Sequence, residues 1–221
     1  MNDWIGEVAD AAEPRPVVAS TLQYPGRIWS VRTDDVEWTA EHHIQRDFVV
    51  HTGAVGIIAL DDAERVLLIR QYRHPVGMAL FEPPAGLLDV SGESPLATAK
   101  RELLEEAGFL AASWNVLYDS FTTPGGSSET FRCFLARRLS AAPNGRVMTG
   151  EAEESELPQV WVPLDEAKEL VLAGKIGNPT AVTGILAAWV ARAGGWTSLR
   201  DEDAPWPARS AVEANGRVFG R

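Results

Sequence analysis

The stretch Arg101-Glu102-Leu103-Leu104-Glu105-Glu106-Ala107-Gly108-Phe109 decides how this chain is read. Just upstream, Ser94 is a good helix N-cap and Pro95 suits the first helical position, while Gly108 suits the C-terminal stop. Leu96, Ala99, Leu103 and Ala107 recur at steps of 3, 4 and 4, which predicts a helix with one buried stripe. Glu102, Glu105 and Glu106 then share a face of that helix. Like charges at this spacing destabilise an isolated helix by roughly a few tenths of a kcal/mol per pair, so something must offset them. A hard divalent cation with oxygen ligands would do so. A solvated acidic face is the other solution, and from these three residues alone both stay open.

Working outward, Gly53–Leu60 and Arg65–Tyr72 are strongly apolar strands joined by Asp61-Asp62-Ala63-Glu64, a hairpin signal. A loop carrying Pro75, Gly77, Pro83, Pro84 and Gly86 leads to the helix. Beyond the helix, strands are predicted at Trp114–Ser120, Thr130–Arg138 and Gln159–Val162. Helices are predicted over Asp165–Ala173 and, capped by Asn178 and Pro179, up to Ala193. Nearer the start, Val17–Leu22, Arg27–Thr33, Val36–Trp38 and Gln45–Val50 read as short strands of a small antiparallel sheet. Tyr24-Pro25-Gly26 and Thr33-Asp34-Asp35 supply its first turns. The expected organisation is a lead-in (1–15), this sheet (16–50), a main α/β domain (51–195) and a tail (196–221) with little packed structure.

Composition sets outer limits. A chain of 221 residues with 45% hydrophobic residues can bury a core without disulfides or structural metal. The net charge of −11 argues against broad phosphate neutralisation, and so against a nucleic-acid partner. Cys133 is the sole cysteine, so no intramolecular disulfide or multi-cysteine metal site forms; it reads as a buried, inert thiol. No secretory signal or membrane-length apolar run is visible, and a soluble, cytoplasmic protein is expected.

From Gly86 the sequence runs six residues to Glu93, then seven to Arg101-Glu102, followed by Leu-x-Glu105-Glu106-x-Gly108-Phe109. This closely resembles the Nudix box, with one extra residue between Gly86 and Glu93 and every other defining position matched. The resemblance implies an α/β/α sandwich around a mixed sheet and hydrolysis of a nucleoside diphosphate linked to another moiety. It implies Mg²⁺, with Mn²⁺ as a substitute, held directly by Glu102 and Glu106, with Glu105 among or next to the direct ligands and so part of the catalytic set, and the carbonyl of Ala85 as a further oxygen. Arg101 is implied to orient the box carboxylates; its plain alternative is an arginine paired along the helix.

Other features resemble the ADP-ribose pyrophosphatase branch. Pro124 lies 16 residues after Gly108, in Thr123-Pro124-Gly125-Gly126-Ser127, and Glu129 follows. The branch implies a homodimer built by the N-terminal sheet. It also implies substrate contacts from Arg46, Arg73, Gly125 and Gly126, against which Arg46 and Arg73 as surface arginines are weighed. Glu82 either binds substrate or pairs structurally with an arginine. The general base is expected in the acidic loop 151–156: Glu154 matches best, Glu153 and Glu156 are in reserve, and Glu156 also stands near the metal. Trp29 and Phe48 suit adenine stacking or packing of the sheet, while Trp38, Trp114, Trp161 and Trp189 suit core or interface. The expected substrate is ADP-ribose, split to AMP and ribose 5-phosphate. Another nucleoside diphosphate sugar, or a non-catalytic nucleotide sensor, is the alternative.

Overall fold

A computed structural model of the chain describes residues 5–146 and 157–220. The N-terminal strands β1 (Val17–Pro25), β2 (Ser30–Thr39) and β3 (His42–Val50) form an antiparallel sheet in the order β1-β2-β3. The expected turn at 33–35 is instead the middle of β2. Its polar residues serve cross-strand partners: Thr33 Oγ1 donates to Asp47 at 2.6 Å, and Ser20 Oγ donates to Asp34 at 2.5 Å. The turn falls at Ala40-Glu41.

The main domain contains β4 (Ala54–Ala59), β5 (Arg65–Arg73), β6 (Met78–Glu82), β7 (Ala85–Leu87), β8 (Phe109–Phe121), β9 (Thr130–Ala141) and β10 (Gln159–Pro163). They make two sheets, β7-β4-β9-β8 and β10-β5-β6. The first is mixed, because β4 runs parallel to β9 and antiparallel to β7. Strands β6 and β7 lie where the sequence reading had a loop, since its prolines sit between strands rather than within them.

Strand β4 shows why helices cover both faces. Val55, Ile57 and Ala59 point to one side, where Ala99, Leu103 and Ala107 of the box helix pack with Leu67, Val116 and Phe134. Ala54 and Ile58 point to the other, towards α2 (Leu164–Leu172) and α3 (Pro179–Ala193). A strand buried on both faces reads as a continuous apolar run, as 54–60 does. Cys133 lies in the α2/α3 layer, and burial pushes its thiol up to about 12. Of the tryptophans, Trp114 is buried while Trp38 and Trp29 are exposed.

The tail corrects the expectation of little packed structure. Helix α4 (Pro207–Ala214) follows a buried Trp206, and Arg209 on it donates to the Thr52 carbonyl. Farther on, the Arg217 guanidinium donates to Asp34 at 3.1 Å and Phe219 N–H to the His51 carbonyl at 3.3 Å. The tail thereby ties the N-terminal sheet to the main domain. No helix among the described residues is long and apolar enough to cross a membrane.

Candidate active site

The box helix begins as expected: Ser94 Oγ accepts from Ala97 N–H at 3.2 Å and Pro95 opens α1 (Pro95–Glu102). It then departs from α geometry. Leu103–Ala107 form a π-helical turn, closed by Gly108 at φ +75°, a conformation that favours glycine. The sequence spacing of Glu102, Glu105 and Glu106 therefore lies across an α-to-π junction rather than on a uniform α face. Single π turns of this kind are frequent at functional sites.

Arg101 organises the acidic groups. Its Nε and Nη2 donate to the two oxygens of Glu93, each at 3.1 Å, and its Nη1 donates to Glu102 at 2.7 Å and Glu105 at 2.9 Å. The hydrogen bonds from Arg101 hold the Glu93 carboxyl below the usual range, and those to Glu93 raise Arg101 further. Glu93 also accepts from Thr98 Oγ1 at 2.8 Å, so the residue following the one-residue insertion is fixed to the first turn of the helix. Glu106 is buried and accepts from the Ala85 N–H at 2.9 Å, which sets β7 beside the helix. A Cβ on Gly86 would lie 2.1 Å from Glu102 Oε1, so glycine is what lets that carboxylate lie against β7.

These residues offer hard oxygen donors of the kind a divalent cation takes. They do not form a finished cage: among the described residues no three acidic, His or Cys side chains converge as a ready metal group. Arg101 bridges Glu102 and Glu105 and offsets their repulsion. The donor set and the Gly86 cradle fit a divalent cation.

Arg73 and Glu82 form a second group. Arg73 grips Glu82 with two hydrogen bonds, at 2.9 and 3.0 Å, across the β5–β6 pair. Of the two expectations for Glu82, this is the pairing with an arginine. Arg46, Gly125 and Gly126 stand elsewhere. Arg46 is exposed on β3, donates to its neighbour's carbonyl at 2.9 Å, and lines a cavity of about 800 Å³ with Arg32, Phe48, Phe121 and α4. No box carboxylate lines that cavity, and neither does Arg73. The Gly126 carbonyl accepts from Val49 N–H at 2.9 Å, which fastens the 122–128 loop to β3. Glu129 accepts from Thr122 Oγ1 and lies 3.6 Å from His51, and is hydrogen-bonded to none of the box glutamates among the described residues.

Glu153, Glu154 and Glu156 lie outside the described residues. The positions flanking them are informative, and sequence reasoning missed both. Arg146 Nε donates to the Glu105 carbonyl at 3.3 Å, and Gln159 Nε2 donates to the Glu106 carbonyl at 3.1 Å. The chain therefore leaves for this segment, and returns from it, at the C-terminal end of the box helix.

Residues 50–181 match the NUDIX domain family. The chain belongs to the Nudix family. An ADP-ribose pyrophosphatase of Mycobacterium tuberculosis is 40% identical over 201 residues, covering 91% of this chain and 95% of the relative. An ADP-ribose pyrophosphatase of Bacillus subtilis is 34% identical over 70% of this chain and 81% of its own. A methanol dehydrogenase activator of Bacillus methanolicus is 32% identical over 73% of this chain and 85% of its own. The crystal structure of an ADP compounds hydrolase shares the fold, with a TM-score of 0.69 over 95% of this chain and all of that one, at 22% identity. Nudix hydrolases generally use a divalent metal, which agrees with the oxygen-rich set on this Nudix helix.

Proposed function

We propose that this Nudix protein is an ADP-ribose pyrophosphatase that uses Mg²⁺, with Mn²⁺ as a substitute, and yields AMP and ribose 5-phosphate. One observation carries the reading: near full-length similarity to an ADP-ribose pyrophosphatase coincides with a complete set of box carboxylates around Arg101. Glu102, Glu106, Glu105 and the Ala85 carbonyl would hold the cation. When bound, it shields pyrophosphate charge and lowers the pKa of water for in-line attack.

The protein's own groups do the remaining work. Arg101 fixes the orientation of Glu102 and Glu105. Arg73 addresses the pyrophosphate or the terminal ribose from the edge not held by Glu82. Glu154 takes the proton of the attacking water as the new P–O bond forms and the bridging P–O bond breaks, and Glu156 would be a further carboxylate for the cation, reaching it through water. The attachment of Arg146 and Gln159 to the box helix supports a base drawn from this segment. Arg46, Gly125 and Gly126 complete the substrate pocket across a homodimer, in which the N-terminal sheet of each copy covers the other. Exposed Val18, Leu22, Tyr24 and Trp38 on that sheet support the assembly.

A substrate panel with purified protein and Mg²⁺ tests the activity. AMP release from ADP-ribose, with kcat/KM at least about tenfold above that for other nucleoside diphosphate sugars, is the expected result. Faster GMP release from GDP-mannose would reassign the substrate. Binding without release from any substrate would leave a sensor.

A further inference from the structure

Glu82 is only 2% exposed, and a carboxylate buried to that degree needs its oxygens engaged. Arg73 takes one edge, through Nε to Oε1 and Nη2 to Oε2. Asn178 supplies a further donor: its Nδ2 lies 2.5 Å from Glu82 Oε2. The same Asn178 is the N-cap of α3, where its Oδ1 accepts from Ala181 N–H at 3.0 Å and Pro179 opens the helix. One amide thus works at both ends, the oxygen on the helix and the nitrogen on Glu82. Asp and Ser cap a helix as well as Asn does. An ionised Asp has no donor to offer, and Ser reaches less far.

Arg73 shows what this arrangement achieves. Its side chain is 44% exposed although its partner carboxylate is buried. Held along the Nε/Nη2 edge, the guanidinium keeps Nη1 without a hydrogen bond among the described residues. A planar fork fixed on one edge presents its remaining donors in a set direction, which suits phosphate or ribose oxygens.

We propose that Asn178 is a positioning residue for substrate recognition. By holding Glu82 it fixes Arg73 in the orientation that presents the Nη1 edge to the substrate. This rests on the reading of Arg73 as a substrate-binding arginine. If Asn178 were no more than a helix cap, losing its amide nitrogen while keeping a capping oxygen would leave substrate affinity unchanged.

The test uses the full-length protein with Mg²⁺ and ADP-ribose, and four variants: Asn178→Ser, Asn178→Asp, Arg73→Gln and the double variant Arg73→Gln/Asn178→Ser. Asn178→Ser is expected to raise KM about tenfold with kcat within about threefold of wild type, because the lost interaction is one of binding. Asn178→Asp is expected to raise KM further, since it sets a second carboxylate against Glu82. In the double variant KM should rise no higher than in Arg73→Gln alone, because Asn178 acts through Arg73. KM does not depend on how much of a variant is folded, so partial instability leaves the comparison intact. Unchanged KM in both Asn178 variants, or multiplicative losses in the double variant, would overturn the inference while leaving Arg73 in place. Unchanged KM in Arg73→Gln would remove Arg73 from the substrate site and this inference with it.

Discussion

At Gly86 a single hydrogen separates β7 from the Glu102 side chain. A methyl group there would meet Glu102 at its Oε1, Cδ and Cγ atoms, all within 2.3 Å, so the carboxylate would have to swing away. Gly86→Ala is therefore expected to raise the Mg²⁺ needed for half-maximal activity at least about tenfold, measured by titrating the metal at fixed substrate. Glu106→Gln should act in the same direction, because it removes a charged oxygen donor but can still accept from Ala85. Near-normal turnover of Glu106→Gln at sub-millimolar Mg²⁺ would exclude Glu106 as a ligand. His51 offers a residue-scale prediction about stability. Its Nδ1 accepts from Gly53 N–H at 3.1 Å, and burial holds its pKa below 6.5, against the pull of Glu129 and with the push of Arg209. The unfolded chain takes up this proton near pH 6.5 and the folded chain only at lower pH. The associated stability is complete above about 6.5 and is lost as pH falls through the folded pKa. Thermal midpoints of His51→Gln should accordingly vary less with pH than those of wild type in that window. At this scale the box carboxylates and Arg101 were legible, because their spacing is local. Asn178, Arg146 and Gln159 were not, because each reaches its partner, Glu82 or the box helix, from a distant segment, and an amide on a helix cap looks complete without a second partner.

The box helix shows what an element adds to a motif. Its cap, apolar stripe and terminal glycine follow from local sequence, and so do its limits. The change to a π turn at Leu103 is not readable from 95–108, because the buried Ala99, Leu103 and Ala107 keep the four-residue steps that an α-helical stripe also has. The tail was misread for a related reason. Its proline, glycine and charge content suggested loose chain, yet the charges are the means of attachment. Arg200 donates to Asp119 of β8 at 2.8 Å, Arg209 to the Thr52 carbonyl and Arg217 to Asp34, while Arg132 of β9 donates to the Ala204 and Pro205 carbonyls and lies over the Trp206 ring. Arg209→Ala would leave the buried Thr52 carbonyl without that donor, at a cost of about 1–3 kcal/mol, which a denaturant midpoint would register. The acidic loop gives the element-scale test of mechanism. Removing a general base commonly costs about 10²–10⁴ in rate, far more than removing a surface charge. Glu154→Gln is expected to lower kcat at least about a hundredfold with little change in ADP-ribose affinity, Glu153→Gln to be mild and Glu156→Gln intermediate. A severe Glu156→Gln with a mild Glu154→Gln would shift the register by two residues. Three near-normal variants would send the search for the base to the box glutamates.

At the scale of the whole molecule, the N-terminal sheet is the part whose apolar surface is left uncovered. Strand β1 is exposed along its full length, although it carries Val17, Val18, Leu22 and Tyr24, and Trp38 of β2 is exposed too, with the Arg15 guanidinium 5.1 Å from its ring centroid. It is also a sheet edge, with a row of backbone groups facing outward. The opposite edge, β3, is already fastened by Val49 to Gly126 and Ser128. A three-stranded sheet of this kind has too little core to be stable on its own, and the tail holds it through Arg217, which donates to Asp34 and lies over the Phe48 ring. A two-fold dimer would cover the apolar strand in both copies at once, since a two-fold interface uses the same surface twice. It would also answer a geometric need, because within one chain Arg46 lines a cavity that contains neither Arg73 nor a box carboxylate. Light scattering should therefore give twice the 24.0 kDa chain mass. Val18→Lys/Leu22→Lys, which places charge on the exposed strand without touching the box, should shift the protein to monomer and raise KM for ADP-ribose. A monomer of wild-type protein that is stable and fully active at micromolar concentration would refute the dimer. Full activity after deletion of residues 1–45 would refute the part assigned to the sheet in forming the pocket, even if the dimer survived.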